Sequence, residues 1–154
     1  MSEREQEGLR RIVVLLSDGL DTASTTRAPA VIAEAARRGV SFYVLHLPLY
    51  TPQWNGLAVR RPSNGFRTLA DRTGGKYFLL GDEKQALAPD PTYDLAPVFR
   101  AIADDLQSQY VLGFYADEAA RAAGEHKLEV RLTEKKNSRL RVNTLRERFN
   151  LKAP

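Results

Sequence analysis

Apolar and polar positions change period several times along the chain, and each change marks an element. Ile12 to Leu16 is an unbroken, β-branched-rich apolar run stopped at once by Ser17, Asp18 and Gly19. That is how a strand reads when helices cover both of its faces in a parallel sheet. Leu20 to Arg27 is rich in Thr and Ser, which is loop chemistry. Pro29 then falls where a first helical turn tolerates it, Val31, Ile32, Ala35 and Ala36 recur at helical spacing, and Gly39 supplies a left-handed stop. Val40 to Leu47 is a second mostly apolar strand, so strand, short helix and strand predict a right-handed parallel crossover.

From Pro48 to Gly65 the periodicity dissolves into a long loop with Trp54 and Tyr50 embedded, placed on the same sheet edge as Asp18. Asn64 is positioned to cap a helix whose Phe66, Leu69 and Ala70 share a face, Gly74-Gly75 ends it, and Lys76 to Leu80 is a third parallel strand. Gly81 to Thr92 reads as loop because of Pro89-Asp90-Pro91. Asp94 then caps the best-specified helix, with Leu95, Val98, Phe99, Ile102, Ala103 and Leu106 on one side. Three strands are predicted after it. They are Tyr110 to Tyr115, His126 to Thr133 and Arg139 to Thr144, the last two alternating cleanly around the turn material Glu134 to Ser138. The expected fold is α/β, a three-layer Rossmann-like parallel sheet with helices on both faces followed by carboxyl-terminal antiparallel strands. The expected division is 1–109 and 110–150.

A length of 154 residues with 43% hydrophobic positions suits one domain with a real core. No run is long and apolar enough to span a bilayer, and the polar start lacks the order of a signal peptide. Zero cysteines exclude disulfides, thiolate metal sites and cysteine nucleophiles. The net charge of +4 is modest, and the basic tail from Arg131 to Lys152 alternates with Leu140 and Val142, which is the pattern of a solvated strand face. Only Phe149 accompanies it, so no nucleic-acid partner is expected.

Candidate chemistry gathers at the carboxyl edge of the first strand, where open α/β sheets hold ligands. Asp18, followed by Thr22, Ser24, Thr25 and Thr26, offers hard oxygen ligands suited to Mg²⁺ or Ca²⁺. The competing reading makes Asp18 and Ser17 acceptors for backbone amides in a tight turn. His46, between Leu45 and Leu47, reads as a hydrogen-bonded strand histidine, because no glycine-flanked serine accompanies it. His126 reads as solvated at the start of an exposed strand. Asp104 and Asp105 are adjacent on a helix and point about 100° apart, so they share no proton or ion.

Ile-Val-Val-Leu-Leu-Ser-Asp-Gly-Leu-Asp-Thr from Ile12, the Ala-rich helix to Arg38-Gly39, and Val-Ser-Phe-Tyr-Val-Leu-His-Leu from Val40 resemble the second half of a von Willebrand factor type A domain. Phe66 to Phe78 is similar to the helix and last sheet strand of that fold. Gln109 to Tyr115, His126 to Val130 and the basic final strand resemble a bacterial branch in which such strands follow the type A domain. The resemblance implies a non-enzymatic protein–protein interaction module. It also implies that Asp18 matches the third-loop Asp of the metal-ion-dependent adhesion site. The Asp-x-Ser-x-Ser loop and the second-loop Thr have no counterpart, so the site is incomplete. The chain alone is expected to hold no cofactor, with Mg²⁺ or Ca²⁺ bound only if another segment completes the site. The strand from Arg11 to Leu16 would have an open edge, so the chain is either a fragment of a longer type A protein or has a protein partner covering that edge. Members of the branch are often exported, and the compartment of this chain is left open. The alternative is a small α/β enzyme, or a nucleotide or phosphometabolite binder, using Asp18 and the Tyr50 to Asn64 loop.

Overall fold

The structure, a computed structural model, describes residues 11–110, 112–115, 124–133, 142, 144 and 148–151. The chain divides into two compact units, Met1–Gln107 and Ser108–Pro154. It is mixed α/β, with a three-stranded parallel sheet and two antiparallel strand pairs.

In the first unit, β1 (Arg11–Ser17) leads through a loop to α1 (Ala28–Arg38) and β2 (Val40–His46). A hairpin follows, β3 (Tyr50–Gln53) and β4 (Gly56–Val59), then α2 (Phe66–Arg72), β5 (Tyr77–Leu79), the single turn α3 (Glu83–Ala86) and α4 (Ala96–Gln107). The sheet order is β1-β2-β5, all parallel, with Leu15 beside Val44, Ser17 beside His46, and His46 beside Leu79. Gly39 ends α1 at φ 64°, and its N–H returns to the carbonyls of Ala35 and Ala36.

Among the described strands only β2 is covered on both faces. Tyr43 and Leu45 join Leu80 and Ile102 in a buried cluster, with Val98 and Leu106 of α4 and the preceding Leu95 packed against it. On the opposite face His46 meets the ring of Phe66 in α2, edge-on at 5.3 Å. A polar tie holds α4 down as well. Tyr43 donates its hydroxyl to Asp105 Oδ2 at 2.7 Å, and Lys76 Nζ lies 2.6 Å from Asp105 Oδ1. The neighbouring Asp104 is exposed, so the two adjacent carboxylates do separate jobs.

β1 departs from the expectation of two covered faces. It is the edge of the sheet, and Ile12, Val13, Val14 and Leu16 are 41%, 38%, 40% and 56% exposed. The apolar run is what a covered strand needs, but the helices pack chiefly over β2 and leave most of β1 uncovered. In the stretch expected to be loop, β3 and β4 form a hairpin from Tyr50 to Val59, because Arg60 N–H closes its base on the Leu49 carbonyl at 2.7 Å. Asn64 does not cap α2; Gly65 at φ 89° occupies that position with no side-chain cap. The expected loop after Gly81 contains α3, whose cap is Asp82 accepting from the Gln85 N–H. Phe99 and Ala103 of α4, expected inward, are exposed.

In the second unit, β6 (Gly124–Lys127) pairs antiparallel with β7 (Arg148–Leu151). The described residues of Tyr110 to Tyr115 form no strand; Tyr110 and Tyr115 are fully or nearly exposed, and Phe114 sets its ring against Phe149 at 5.4 Å. The strand expected from His126 to Thr133 starts earlier and stops at Lys127. His126, expected to be solvated, stacks on the Phe149 ring at 5.2 Å, and this cross-strand pair fixes the register. Of the predicted strand Arg139 to Thr144 only Val142 and Thr144 are described, and Glu134 to Ser138 lie outside the described residues.

Two predictions follow from these contacts. A Cβ on Gly75 would stand 2.0 Å from the Phe42 carbonyl oxygen, whereas one on Gly39 meets nothing within 4 Å and suffers only from the positive φ. Denaturant unfolding should therefore show Gly75→Ala losing about 2 kcal/mol or more and Gly39→Ala about 1 kcal/mol. Equal losses would contradict the close approach. On α1, hydrogen bonds from Arg37 and then Arg38 hold the Glu34 carboxyl down at about 2. A depressed carboxylate contributes above its unfolded value and loses that contribution as pH falls through about 2. An NMR carboxyl titration should find Glu34 titrating last among the exposed glutamates, and added salt should raise it.

Candidate functional site

The parallel strands end together, and the loop after β1 meets the loop before α2 at their carboxyl edge. β1 ends in an apolar-to-polar switch, and Ser17, Asp18 and Gly19 turn the chain. Ser17 Oγ accepts from the Gly19 N–H at 3.1 Å, and Asp18 Oδ1 accepts from the Leu20 N–H at 2.9 Å. Asp21 repeats the device, with Oδ1 accepting from the Ser24 N–H at 2.9 Å and the Ala23 N–H at 3.4 Å. The Ser24 amide, followed by the Ser24 hydroxyl, holds the Asp21 carboxyl below its usual value.

This turn is stitched to the loop before α2. Ser63 donates its N–H to the Gly19 carbonyl at 2.7 Å, and its hydroxyl oxygen accepts from the Asp21 N–H at 2.8 Å. Gly19 sits at φ 81°, where a Cβ would come 2.6 Å from Pro62 Cβ and 3.0 Å from His46 Nε2. Both the conformation and the space require glycine there.

His46 supports the turn from beneath. Its Nε2 lies 3.0 Å from the Asp18 carbonyl oxygen, and a carbonyl only accepts, so that nitrogen carries the proton. Nδ1 then accepts from the Tyr77 hydroxyl. The imidazole is 1% exposed and has both nitrogens engaged. Burial raises the Tyr77 hydroxyl above its ordinary value, opposed by Arg67, whose guanidinium lies 5.1 Å from the ring centre.

Between these loops lies an open cleft of about 290 Å³. Leu15, Val31, Phe66 and Leu69 form its apolar floor, and Ser17, Asp21, Ser24, Thr26 and Ser63 its polar rim. Thr22 and Thr25 are exposed outside it, and Asp18 does not line it. Of the residues singled out from the sequence, Ser17, Ser24 and Thr26 are therefore brought to one cleft, and Asp18 and His46 to the turn above its floor. Asp21 and Ser63 were not anticipated. The Asp21-x-x-Ser24 spacing is a readable turn signal, but nothing in the sequence pairs it with Ser63, 42 residues away.

The residues around Asp18 fit a divalent ion poorly. The carboxylates of Asp18 and Asp21 each accept from backbone amides, and among the described residues no group of three or more His, Asp or Glu side chains is placed to hold an ion. Among them, too, no helix is long and apolar enough to cross a membrane.

No protein-family model matches the chain, and no curated protein matches it. Among solved structures, an uncharacterized membrane spanning protein from Vibrio fischeri is similar at 19% identity, with a TM-score of 0.43, over 66% of this chain and 49% of that one. The chain thus spans about half the length of that protein, and a likeness of this degree places no functional residue.

The turn chemistry separates two roles for Asp18. As an acceptor for the Leu20 amide, its loss in Asp18→Ala should lower stability by about 1 kcal/mol, and Asp18→Asn should restore it. Tyr77→Phe, which leaves the buried His46 Nδ1 without its donor, should lose about 1–2 kcal/mol. Thermal and denaturant unfolding measure both, and an Asp18→Asn variant as unstable as Asp18→Ala would show that the charge itself matters.

Proposed function

We propose that this chain is a non-enzymatic protein-interaction module, the carboxyl-terminal half of a three-layer von Willebrand factor type A-like domain, whose protein partner takes up the free edge of β1. The observation that carries this reading is the exposure of Ile12, Val13, Val14 and Leu16 on a sheet-edge strand. Such an edge is a template for pairing that folded proteins normally cover. The order of elements supports it too, since the Ser-Asp-Gly turn, the Ala-rich helix and the following strand stand in the sequence as they do in that family.

Asp18 corresponds to the third-loop Asp of the adhesion site, and the 154 residues hold no Asp-x-Ser-x-Ser segment. With one matched ligand already bonded to the Leu20 amide, this chain by itself binds a divalent ion weakly or not at all. No nucleophile–base pair is involved in the reading; His46 is engaged at both nitrogens.

A second reading has one specific observation in its favour. The hydroxyl-rimmed cleft with an apolar floor lies at the carboxyl edge of the sheet, where small ligands of α/β proteins bind. In that case the chain is a nucleotide or phosphometabolite binder, or a small enzyme acting on one.

Isothermal titration with MgCl₂ and MnCl₂, together with a thermal-shift panel of nucleotides and phosphometabolites, separates the readings. The interaction module should give no saturable metal heat and no melting shift. Tight metal binding would overturn the incomplete site, and a shift lost in Ser24→Ala and Ser63→Ala would favour the cleft.

A further inference from the structure

The Ser17 carbonyl accepts from the Leu47 N–H at 2.9 Å, on the β2 side. In a parallel strand a residue's N–H and C=O point to the same side and alternate along the chain. Arg11, Val13, Leu15 and Ser17 therefore aim their backbone groups at β2, and Ile12, Val14 and Leu16 aim theirs away from the sheet. The side chains of these same three residues project on the face opposite Leu15 and Ser17, and they are 41%, 40% and 56% exposed. Outward hydrogen-bonding groups and an apolar stripe thus coincide on three residues.

We propose that this edge pairs antiparallel with β1 of a second copy of the chain, about a two-fold axis midway between the two Val14 residues, joining two three-stranded sheets into one. The inference rests on the interaction-module reading and names its partner. A two-fold axis perpendicular to the sheet keeps the same faces together, so each residue must oppose one of its own parity. The register overlapping all of Arg11–Ser17 sets Val14 against its copy and Ile12 against Leu16. Those are the outward-facing residues, so each such pair exchanges two backbone hydrogen bonds. The exposed side chains meet directly as cross-strand neighbours on one face. Charge favours the same direction: Arg11 opens the strand and Asp18 follows its end, so antiparallel pairing brings the basic end of one copy to the acidic end of the other. Parallel pairing would set Arg11 against Arg11. The arrangement is self-complementary and closed, as an isologous dimer requires.

Sedimentation of the full chain over a concentration series should show a dimer. Val14→Pro removes a single N–H, the outward one at the axis, and should give a monomer with an unchanged far-ultraviolet spectrum. Val14→Lys, at an exposed position, should do the same if the proline variant fails to fold. The chain has no cysteine. On oxidation Val14→Cys should therefore form a disulfide-linked dimer across a pair about 5.5 Å apart, and Val13→Cys, whose copies lie out of register, should not. A wild type that is monomeric throughout, a Val14→Lys variant that folds and still dimerises, or equal cross-linking at both positions would each overturn the self-pairing. Failure of the module reading looks different, because it appears as nucleotide or metabolite binding at the cleft whatever the mass of the chain.

Discussion

The imidazole of His46 ties the three parallel strands together, and the site depends on it. One nitrogen donates to the Asp18 carbonyl just past β1, the other accepts from Tyr77 of β5, and the residue itself ends β2. A polar ring that is 1% exposed would cost free energy without partners; with both satisfied it becomes a fixed strut. Its position explains Gly19, because a side chain there would collide with the ring and with Pro62. The Ser63 bonds to Gly19 and Asp21 then pull the loop before α2 against the turn, and the cleft is the space these constraints leave.

Much of the first unit was legible because local signals and burial agree there. β1, α1, β2, α2, β5 and α4 all announced themselves by period, and Gly39 by its left-handed stop. The buried role of His46 was readable from its apolar neighbours, but its partner Tyr77 was not, since it is 31 residues away and only strand pairing brings it near. The hairpin at Tyr50 to Val59 was missed because prolines mask it, although Pro52 sits where a two-stranded ribbon leaves an N–H unpaired at no cost. In the second unit, alternation located a strand near His126 but not its partner. The aromatic pair with Phe149 chose β7, and no periodicity records that choice.

β1 pairs an inner-strand composition with an edge position. An apolar run reports what a strand can bury, whereas exposure depends on how many helices reach it. α4 packs through Ile102 onto Tyr43, Leu45 and Leu80, and α2 packs through Phe66 onto His46, so both helices are centred on β2. β1 is left with Leu15 and Ser17 half-buried beside an exposed Val13 on one face, and Ile12, Val14 and Leu16 exposed on the other. Its composition belongs to an inner strand and its position to an edge. Conflict between those two levels is where a binding surface is to be sought, because a sequence is otherwise consistent across them.

Asp18 sits at the join between that edge and the cleft, and its chemistry is set by the turn. A carboxylate oxygen that accepts a backbone amide is held in one direction, and the next carboxylate along the chain, Asp21, is held the same way by Ser24. Divalent ions need several oxygens converging on one point, whereas these two carboxylates are each tied to their own local amides. The polar groups at this edge therefore hold its shape, with Asp18 and His46 fixing where β1 stops. The turn thus fixes where β1 ends, while pairing with β2 sets which of its residues face outward.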